Sequence, residues 1–459
     1  MVDTVPGVVI AAASSNSGKT TIATGLIAAL ARNATVAPFK VGPDYIDPGY
    51  HGLAAGRVGR NLDSVMCGKE RIAPLYKHGS AGADIAIVEG VMGLFDGRIP
   101  PDDGSGLAHG LAAGSTAEIA GLLDMPVILV TDASGMSQSM GAIVEGFAKH
   151  HPGVNVAGVI INKVGTPRHE AICRAACEAV GVEVVGALPR VHGVEVPSRH
   201  LGLVTAAERG QRAYDAVARM ADLVADNVDL AAIRRIAAVR DIPDAWDPAT
   251  QVRNVGPARV ALAGGPAFTF AYAEHEELLR AAGAEVVRFD PLSDQFPQCD
   301  GLIIPGGFPE EHVEDLAART DLVAAVAAHV AAGKPVHGEC AGLLWLLKSL
   351  DAHPMLGVIP THAAMGRRLT LGYREAVAMG DSLLYRTGER VVGHEFHHTA
   401  LAEQHCAGFD AAWGWRGWDA QPKREGFIRG NVHASYLHVH PAAQPQAVER
   451  FVAAAAAAA

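Results

Sequence analysis

At 459 residues the chain exceeds what one hydrophobic core usually supports, so two large domains or three smaller ones are expected. Apolar residues make up 49% and charged residues 19%, an ordinary balance for a soluble globular protein, and a formal charge of −11 argues against nucleic acid as the main partner. No apolar run approaches the roughly 20 residues of a membrane span, no basic region followed by an apolar stretch marks a secretion signal, and six cysteines without a CxxC pair point to a reducing cytoplasm.

The first half alternates short apolar runs with Ala-rich periodic stretches. Val8–Ala12, Val36–Val41, Ile85–Val88, Val127–Thr131, Val156–Ile161 and Val184–Leu188 read as buried strands, with helices over Thr20–Ala31 and Arg168–Val180 among the segments between them. Continuous apolar strands alternating with helices predict a parallel sheet covered on both faces, an α/β fold. The pattern weakens around Asp226–Gly256, where charges and Pro243 and Pro248 suggest a connection between domains. A second βα series then starts at Arg259–Ala263, with a helix over Ala273–Ala282 and strands at Glu285–Phe289, Gly301–Ile304 and Pro335–His337. Pro360–Arg429 is rich in turns and predicts antiparallel strands. The run Ala453–Ala459 has high helix propensity but no amphipathic face, and is expected to fray. The expected division is therefore 1–225, a linker at 226–256, a second domain at 257–452 and an Ala tail at 453–459.

The strand–loop–helix around Ala13-Ser-Ser-Asn-Ser-Gly-Lys-Thr20 carries the first chemistry. A phosphate loop needs clustered backbone N–H groups, a lysine for the terminal phosphates and a hydroxyl for magnesium. Gly18, Lys19 and Thr20 match that pattern, with Ala13 where its first glycine usually stands. Ser17, Gly18, Lys19, Thr20 and Thr21 are the expected ATP contacts. Acidic residues close other strands, and ligands collect at the carboxyl ends of open α/β sheets. Hard magnesium prefers oxygen donors, so Thr20, Asp44 and Glu89 are the expected Mg²⁺ ligands, with Asp96 near the reacting phosphate or substrate. Asn162 either contacts the base or forms a turn. Ser115 and Thr116 either meet a substrate carboxylate or simply cap a helix.

The second chemistry lies in Gly338-Glu-Cys340-Ala-Gly342, between a strand and an apolar segment. Flanking small residues permit the tight turn that presents a nucleophile, and a histidine base would activate the thiol. Cys340 is a nucleophile or a packing residue on this evidence alone. Gly306 and Gly307, in a turn after a strand, are suited to donate N–H groups to an oxyanion. His438 offers the base. His394-Glu395-Phe-His397-His398 has a metal-like look but lacks HExxH spacing, and alternation would put His394 and His398 on one face with His397 opposite.

Cys340, the Gly306-Gly307 turn and His438, in this order, resemble a class I glutamine amidotransferase domain. That resemblance places His440 where the family's orienting Glu stands; His440, water or another acid would then orient His438. With both halves together, the chain resembles the cobyrinic acid/hydrogenobyrinic acid a,c-diamide synthase family over almost its whole length. The resemblance is carried by Pro38-Phe-Lys-Val-Gly-Pro-Asp-Tyr-Ile-Asp-Pro48 with His51, by Val88-Glu-Gly-Val-Met-Gly-Leu-Phe-Asp-Gly97, and by Pro305-Gly-Gly-Phe-Pro-Glu310. Gly393-His-Glu-Phe-His397 and Ala434-Ser-Tyr-Leu-His438 agree too. It implies a dethiobiotin synthetase-like phosphate-loop domain followed by a class I glutamine amidotransferase domain. The implied reaction is ATP- and glutamine-dependent amidation of two acetate carboxylates through acyl phosphates, with Cys340 releasing ammonia from L-glutamine and Mg²⁺ assisting. Tyr45, Ile46 and Asp47 would then lie near the macrocycle. Alternatives are another two-domain amidoligase such as cobyric acid synthase, a switch ATPase that binds a partner protein, and a catalytically silent sensor. The motifs do not choose between metal-free hydrogenobyrinic acid and cobalt-loaded cobyrinic acid, though an Ala-rich, Lys-poor composition leans towards the former. The assembly is left open, with a homodimer as the one considered.

Overall fold

The computed structural model describes residues 4–98, 110–190, 210–417 and 420–459. The chain divides into two compact units, Met1–Trp246 and Asp247–Ala459. Among the described residues no helix is long and apolar enough to cross a membrane.

In the first unit, seven strands form one wholly parallel sheet. They are β1 (Gly7–Ala12), β2 (Val36–Val41), β3 (Arg60–Leu62), β4 (Ile85–Glu89), β5 (Val127–Asp132), β6 (Val156–Val164) and β7 (Glu183–Pro189). Their order is β3-β2-β4-β1-β5-β6-β7, which the sequence alone did not reveal. Every residue of β1, β2 and β4 is buried. That burial explains why these strands read as unbroken apolar runs rather than alternating ones. β1 sits between β4 and β5, so the loops after β1 and β4 emerge side by side at the carboxyl edge. Register places Lys40 of β2 and Ile10 of β1 on either side of Glu89, the last residue of β4.

The Asp226–Gly256 stretch is more ordered than its composition suggests. It contains the end of the Gln211–Asn227 helix, a short helix Leu230–Ile236 and a bridge from Ala238 to Gly7. Trp246 is buried, its ring edge-on to His78 at 5.0 Å. The connection is pinned to the first unit up to that tryptophan.

The second unit holds β8 (Ala258–Ala263), β9 (Ala284–Phe289), β10 (Gly301–Ile304) and β11 (Val336–Glu339) in a six-stranded sheet. The strand Val432–Ser435 pairs parallel with β11, and Phe427–Arg429 closes that edge antiparallel. The turn-rich region forms a second sheet built on one long antiparallel pair, Ile359–Ala378 with Arg390–Leu401. Its last strand, His438–Val439, pairs with Gly393 and His394. The core between these layers includes Ile304, Val336, Leu343, Trp345 and Leu346. The Ala tail differs from expectation. The helix Pro445–Ala457 runs through it with Phe451, Val452 and Ala455 buried, because the upstream apolar residues supply the face that the alanines lack.

Candidate active sites

The loop after β1 is short and closely braced. Gly18 takes the left-handed conformation (φ 87°) immediately before the Lys19–Ala31 helix, and a Cβ there would stand 2.2 Å from Asn162 Nδ2. Ser17 Oγ donates to Ser14 O at 2.8 Å, and Asn162 Nδ2 donates to Ser17 O at 2.9 Å. Asn162, at the end of β6, therefore grips the loop's backbone. Lys163 reaches the same loop at Asn16 O and pairs with Asp132 at 2.7 Å. Thr21 lies in the first turn of the helix.

Glu89 is the hub of the carboxyl edge. It is fully buried, and its Oε1 accepts from Lys19 Nζ at 2.6 Å and Thr20 Oγ1 at 2.7 Å. Lys40 Nζ lies 3.1 Å from the same oxygen, and His51 Nε2 lies 2.7 Å from Oε2. Lys40 also donates to Asp47 Oδ2 at 2.7 Å and to Gly90 O at 3.0 Å. Burial opposes a charged Glu89, yet Lys19, Lys40 and His51 hold its carboxyl well below the usual range. Burial lowers Lys19, while Asp47, Glu89 and Asp44 overcome burial and raise Lys40. Asp47 is pushed up to about 6 by burial and by the neighbouring Asp44 and Glu89 carboxylates.

The expected magnesium set is thus only partly drawn together. Thr20 and Glu89 touch, and the second carboxylate at Thr20 is Asp47, at 3.3 Å. Asp44 Oδ1 instead accepts from the backbone N–H groups of Ile46 and Asp47, at the entrance to the Asp47–Ala55 helix. Its other oxygen lies 3.9 Å from Lys40. Among the described residues no group of three or more His, Cys, Asp or Glu side chains is arranged to hold a metal by itself. The hydroxyl and carboxylate oxygens around Thr20 are nonetheless the hard donors that magnesium takes alongside phosphate and water. Tyr45 is half-buried and Ile46 buried in the loop after β2. Asp96 accepts from Gly93 N at 2.9 Å, closing the loop after β4. Ser115 Oγ accepts from Glu118 N at 3.0 Å as a helix cap, and the Thr116 hydroxyl is held by the backbone of Val91. Ser115 thus caps the Thr116–Leu123 helix, whereas Thr116 braces the backbone after β4.

Lys40 and His51 were not assigned roles from the sequence. A lysine inside the apolar run Val36–Val41 gives little signal by itself. Its position one residue before the strand's end, in register with a terminal glutamate, is what brings it into the site.

In the second unit, Cys340 stands between β11 and the helix Ala341–Leu346 with φ 51° and ψ −99°, a conformation L residues rarely hold. The turn is pinned by Cys340 N donating to Ser435 O at 2.7 Å. Gly342 is indispensable to it, since a Cβ there would lie 2.0 Å from Ile304 O in β10. For the glutamine hydrolysis that the resemblance implies, we expect Gly342→Ala to lower the rate at least about 100-fold by displacing the thiol by about an ångström. Steady-state ammonia release measures this, and a variant within threefold of the parent would refute the constraint.

Burial, helped by Glu310 and Glu339, pushes the Cys340 thiol well above its ordinary value. The thiol is therefore protonated at rest and depends on a base. His438 is fully buried and paired into the second sheet opposite His394. Its Nδ1 lies 2.8 Å from Glu339 Oε1. Gly306 abuts the ring, as a Cβ on it would stand 2.5 Å from His438 Cε1, and Gly307 packs on the backbone of Ala267. Nucleophile turn, glycine turn and imidazole thus converge. The stretch leading to His438 is held by Glu425, which accepts from Ser435 Oγ at 2.6 Å and Tyr436 N at 2.7 Å.

His440 lies elsewhere than a partner position on Nδ1. It is buried against Tyr272 (ring centroids 4.2 Å apart), accepts from Ala442 N, and has Glu274 at 4.0 Å. The His394–His398 cluster is dispersed. His394 meets Tyr373 edge-on, whereas His397 stacks on Tyr436 at 3.7 Å and lies 3.7 Å from Glu395.

Comparison with known proteins divides the chain in the same sense. Residues 8–204 match the CobQ/CobB/MinD/ParA nucleotide binding domain, and residues 259–446 match the CobB/CobQ-like glutamine amidotransferase domain. The hydrogenobyrinate a,c-diamide synthase of Mycobacterium tuberculosis (strain ATCC 25618 / H37Rv) is 55% identical over 98% of both chains. That of Streptomyces coelicolor is 51% identical over 98% of this chain and 97% of its own. The cobyrinate a,c-diamide synthase of Gloeobacter violaceus is 38% identical over 97% and 96%.

Proposed function

The chain belongs to the hydrogenobyrinate/cobyrinate a,c-diamide synthase family, and from this premise we propose that its substrate is hydrogenobyrinate. The enzyme is a glutamine-hydrolysing carbon–nitrogen ligase of cobalamin biosynthesis that uses ATP to amidate the a and c acetate carboxylates of the macrocycle. The observation that supports it best is one chain carrying both the Lys19–Glu89–Lys40 cluster behind a phosphate loop and the Cys340 turn beside His438. The preference for the metal-free macrocycle is supported by the higher identity to relatives named for hydrogenobyrinate, 46–55%, than to those named for cobyrinate, 36–39%.

The division of labour follows from charge. In the first unit a macrocycle carboxylate attacks the γ-phosphorus of ATP, the bond to the β-phosphate oxygen breaks, and ADP leaves with an acyl phosphate formed. Lys19 and Lys40 place two buried cations where negative charge accumulates on the phosphoryl group. Ser17, Gly18, Thr20 and Thr21 would bind phosphate through backbone and hydroxyl groups, and Asn162 would support the loop that does so. Magnesium supplies further positive charge to the phosphoryl oxygens when bound; Thr20 and Glu89 would hold it, with Asp44 or Asp47 as the additional carboxylate. Tyr45, Ile46 and Asp96 would face the macrocycle side.

In the second unit, Cys340 attacks the side-chain amide carbon of glutamine as His438 takes the thiol proton. N–H groups of the Gly306-Gly307 turn would receive the oxyanion. His438 returns the proton to the departing nitrogen, ammonia leaves, and water then clears the thioester to glutamate. Ammonia displaces phosphate from the acyl phosphate to give the amide. The use of ATP and glutamine and the six free cysteines support a cytoplasmic reaction.

A side-by-side turnover assay with hydrogenobyrinic acid and cobyrinic acid tests the proposal, with amides counted by mass spectrometry. Two amides per macrocycle are expected, formed at least about tenfold faster in kcat/KM on hydrogenobyrinic acid, a difference of about 1.4 kcal/mol. Equal or reversed preference would overturn the substrate choice. Failure to amidate either macrocycle would overturn the function.

A further inference from the structure

We propose that Glu339 is the positioning residue of the glutaminase half, its carboxylate holding the His438 imidazole so that Nε2 is the nitrogen that exchanges protons with Cys340. The inference rests on the reading of Cys340 and His438 as nucleophile and base. Glu339 Oε1 lies 2.8 Å from His438 Nδ1, and Oε2 accepts the backbone N–H of Val439 at 3.3 Å. The carboxylate therefore grips both the ring and the strand that carries it. A neutral imidazole whose Nδ1 donates to a carboxylate presents Nε2 as an acceptor, which is the tautomer a general base requires.

The topology makes this acid unusual in sequence terms. Glu339 is the last residue of β11 and directly precedes Cys340, so acid and nucleophile leave one strand end as neighbours while the base comes 98 positions after the cysteine, from another sheet. The histidine that stands where an orienting acid would follow the base, His440, is packed on Tyr272 instead.

The groups facing Glu339 do not compete for its charge. It lines a cavity with His275 from the Ala273–Ala281 helix, His337 from its own strand, His433 from the neighbouring strand, and Tyr385. Burial holds His275 down at about 4 and lowers His337 and His433, so these rings are neutral near pH 7. His394, facing His438 from the Arg390–Leu401 strand, is likewise held down at about 3 by burial. Against the cost of burial, His438 at 2.8 Å, through its charge when protonated and through its hydrogen bond, keeps the Glu339 carboxyl below the usual range.

The reaction it serves balances as follows. The Cys340 S–H proton moves to His438 Nε2 as sulfur bonds to the glutamine amide carbon. The same proton then goes to the amide nitrogen as the C–N bond breaks, releasing NH₃. Water reverses the sequence, losing a proton to His438 as its oxygen bonds to the thioester carbon, and the proton returns to sulfur.

The test compares Glu339→Gln, Glu339→Asp and Cys340→Ser in the full chain. Glutamine hydrolysis, ammonium-supported amidation and thermal unfolding are measured for each. Gln fills the same space, but its NH₂ donates to Nδ1 and leaves the proton on Nε2. We expect Glu339→Gln to lower kcat for glutamine hydrolysis about 10²–10⁴-fold, with KM within about threefold. Glu339→Asp should regain at least tenfold over Gln. Ammonium-supported amidation and the unfolding midpoint should stay near the parent's. Glutaminase kcat within threefold of the parent in the Gln variant would overturn the positioning role. So would a loss shared by the ammonium-supported reaction and the unfolding midpoint, which marks a structural role. Persistent glutamine hydrolysis in Cys340→Ser would instead overturn the underlying assignment of the nucleophile.

Discussion

Replacing Cys340 by serine is expected to abolish glutamine-dependent amidation, by at least about 10³-fold, while free ammonia still supports the reaction. The thiol sits at a positive-φ turn with backbone hydrogen bonds on both sides, and serine preserves the volume and the turn. What it removes is the proposed nucleophile, because a buried hydroxyl gives up its proton far less readily than a thiol. Nothing in the Lys19–Glu89–Lys40 cluster depends on that sulfur. Paired assays with glutamine and with ammonium chloride as nitrogen source, each followed by macrocycle amide content, decide the matter. Loss of both activities would contradict the division of labour between the two units.

Glu89→Gln should have the complementary effect. Amidation with either nitrogen source should fall at least about 10²–10³-fold, the range seen when a group that positions transition-state charge is removed, whereas glutamine hydrolysis persists. Glu89 is fully buried and shared by Lys19, Lys40, Thr20 and His51. Removing its charge leaves two buried ammonium groups with one fewer counter-ion and misplaces the lysines proposed to meet the phosphoryl group. Breaking a buried pair in this way costs about 3–5 kcal/mol of stability, so urea unfolding must be measured alongside. The expected outcome is a lower midpoint but a folded protein at assay temperature with intact glutaminase. Ammonia-supported amidation at parental rate would refute the role assigned to Glu89.

The parts of the candidate site that were legible from sequence are those whose geometry one local motif sets by itself. The apolar run before Ala13, the Gly18-Lys19-Thr20 turn and the periodic stretch after it state a strand, a loop and a helix, and the chemistry follows from the loop. Cys340 between small residues and the ordered arrival of the glycine turn and His438 are legible for the same reason. What was hidden depends on pairing between distant strands. Lys40 becomes significant only because β2 lies beside β4 in a register that sets it against Glu89. Glu339 is 99 positions from His438 and contiguous only with the nucleophile. Ser115 and Thr116 could cap or bind on sequence grounds, since the same hydroxyls serve both, and the Thr116 bond to Val91 is a third role that no local motif announces. The Ala453–Ala459 run illustrates the opposite error. Judged alone it lacks an apolar face, but it continues a helix whose face was established by Phe451 and Val452.

The depth of the Cys340 thiol has a bearing on how long the enzyme lasts in a cell. Peroxide oxidises thiolates and electrophiles alkylate them, and both react first with exposed, acidic cysteines. A sulfur buried among neighbours that disfavour its charge offers such reagents little thiolate. Its burial thus shields the sulfur from such reagents, while His438, hydrogen-bonded to Glu339, stands as the base proposed to take its proton.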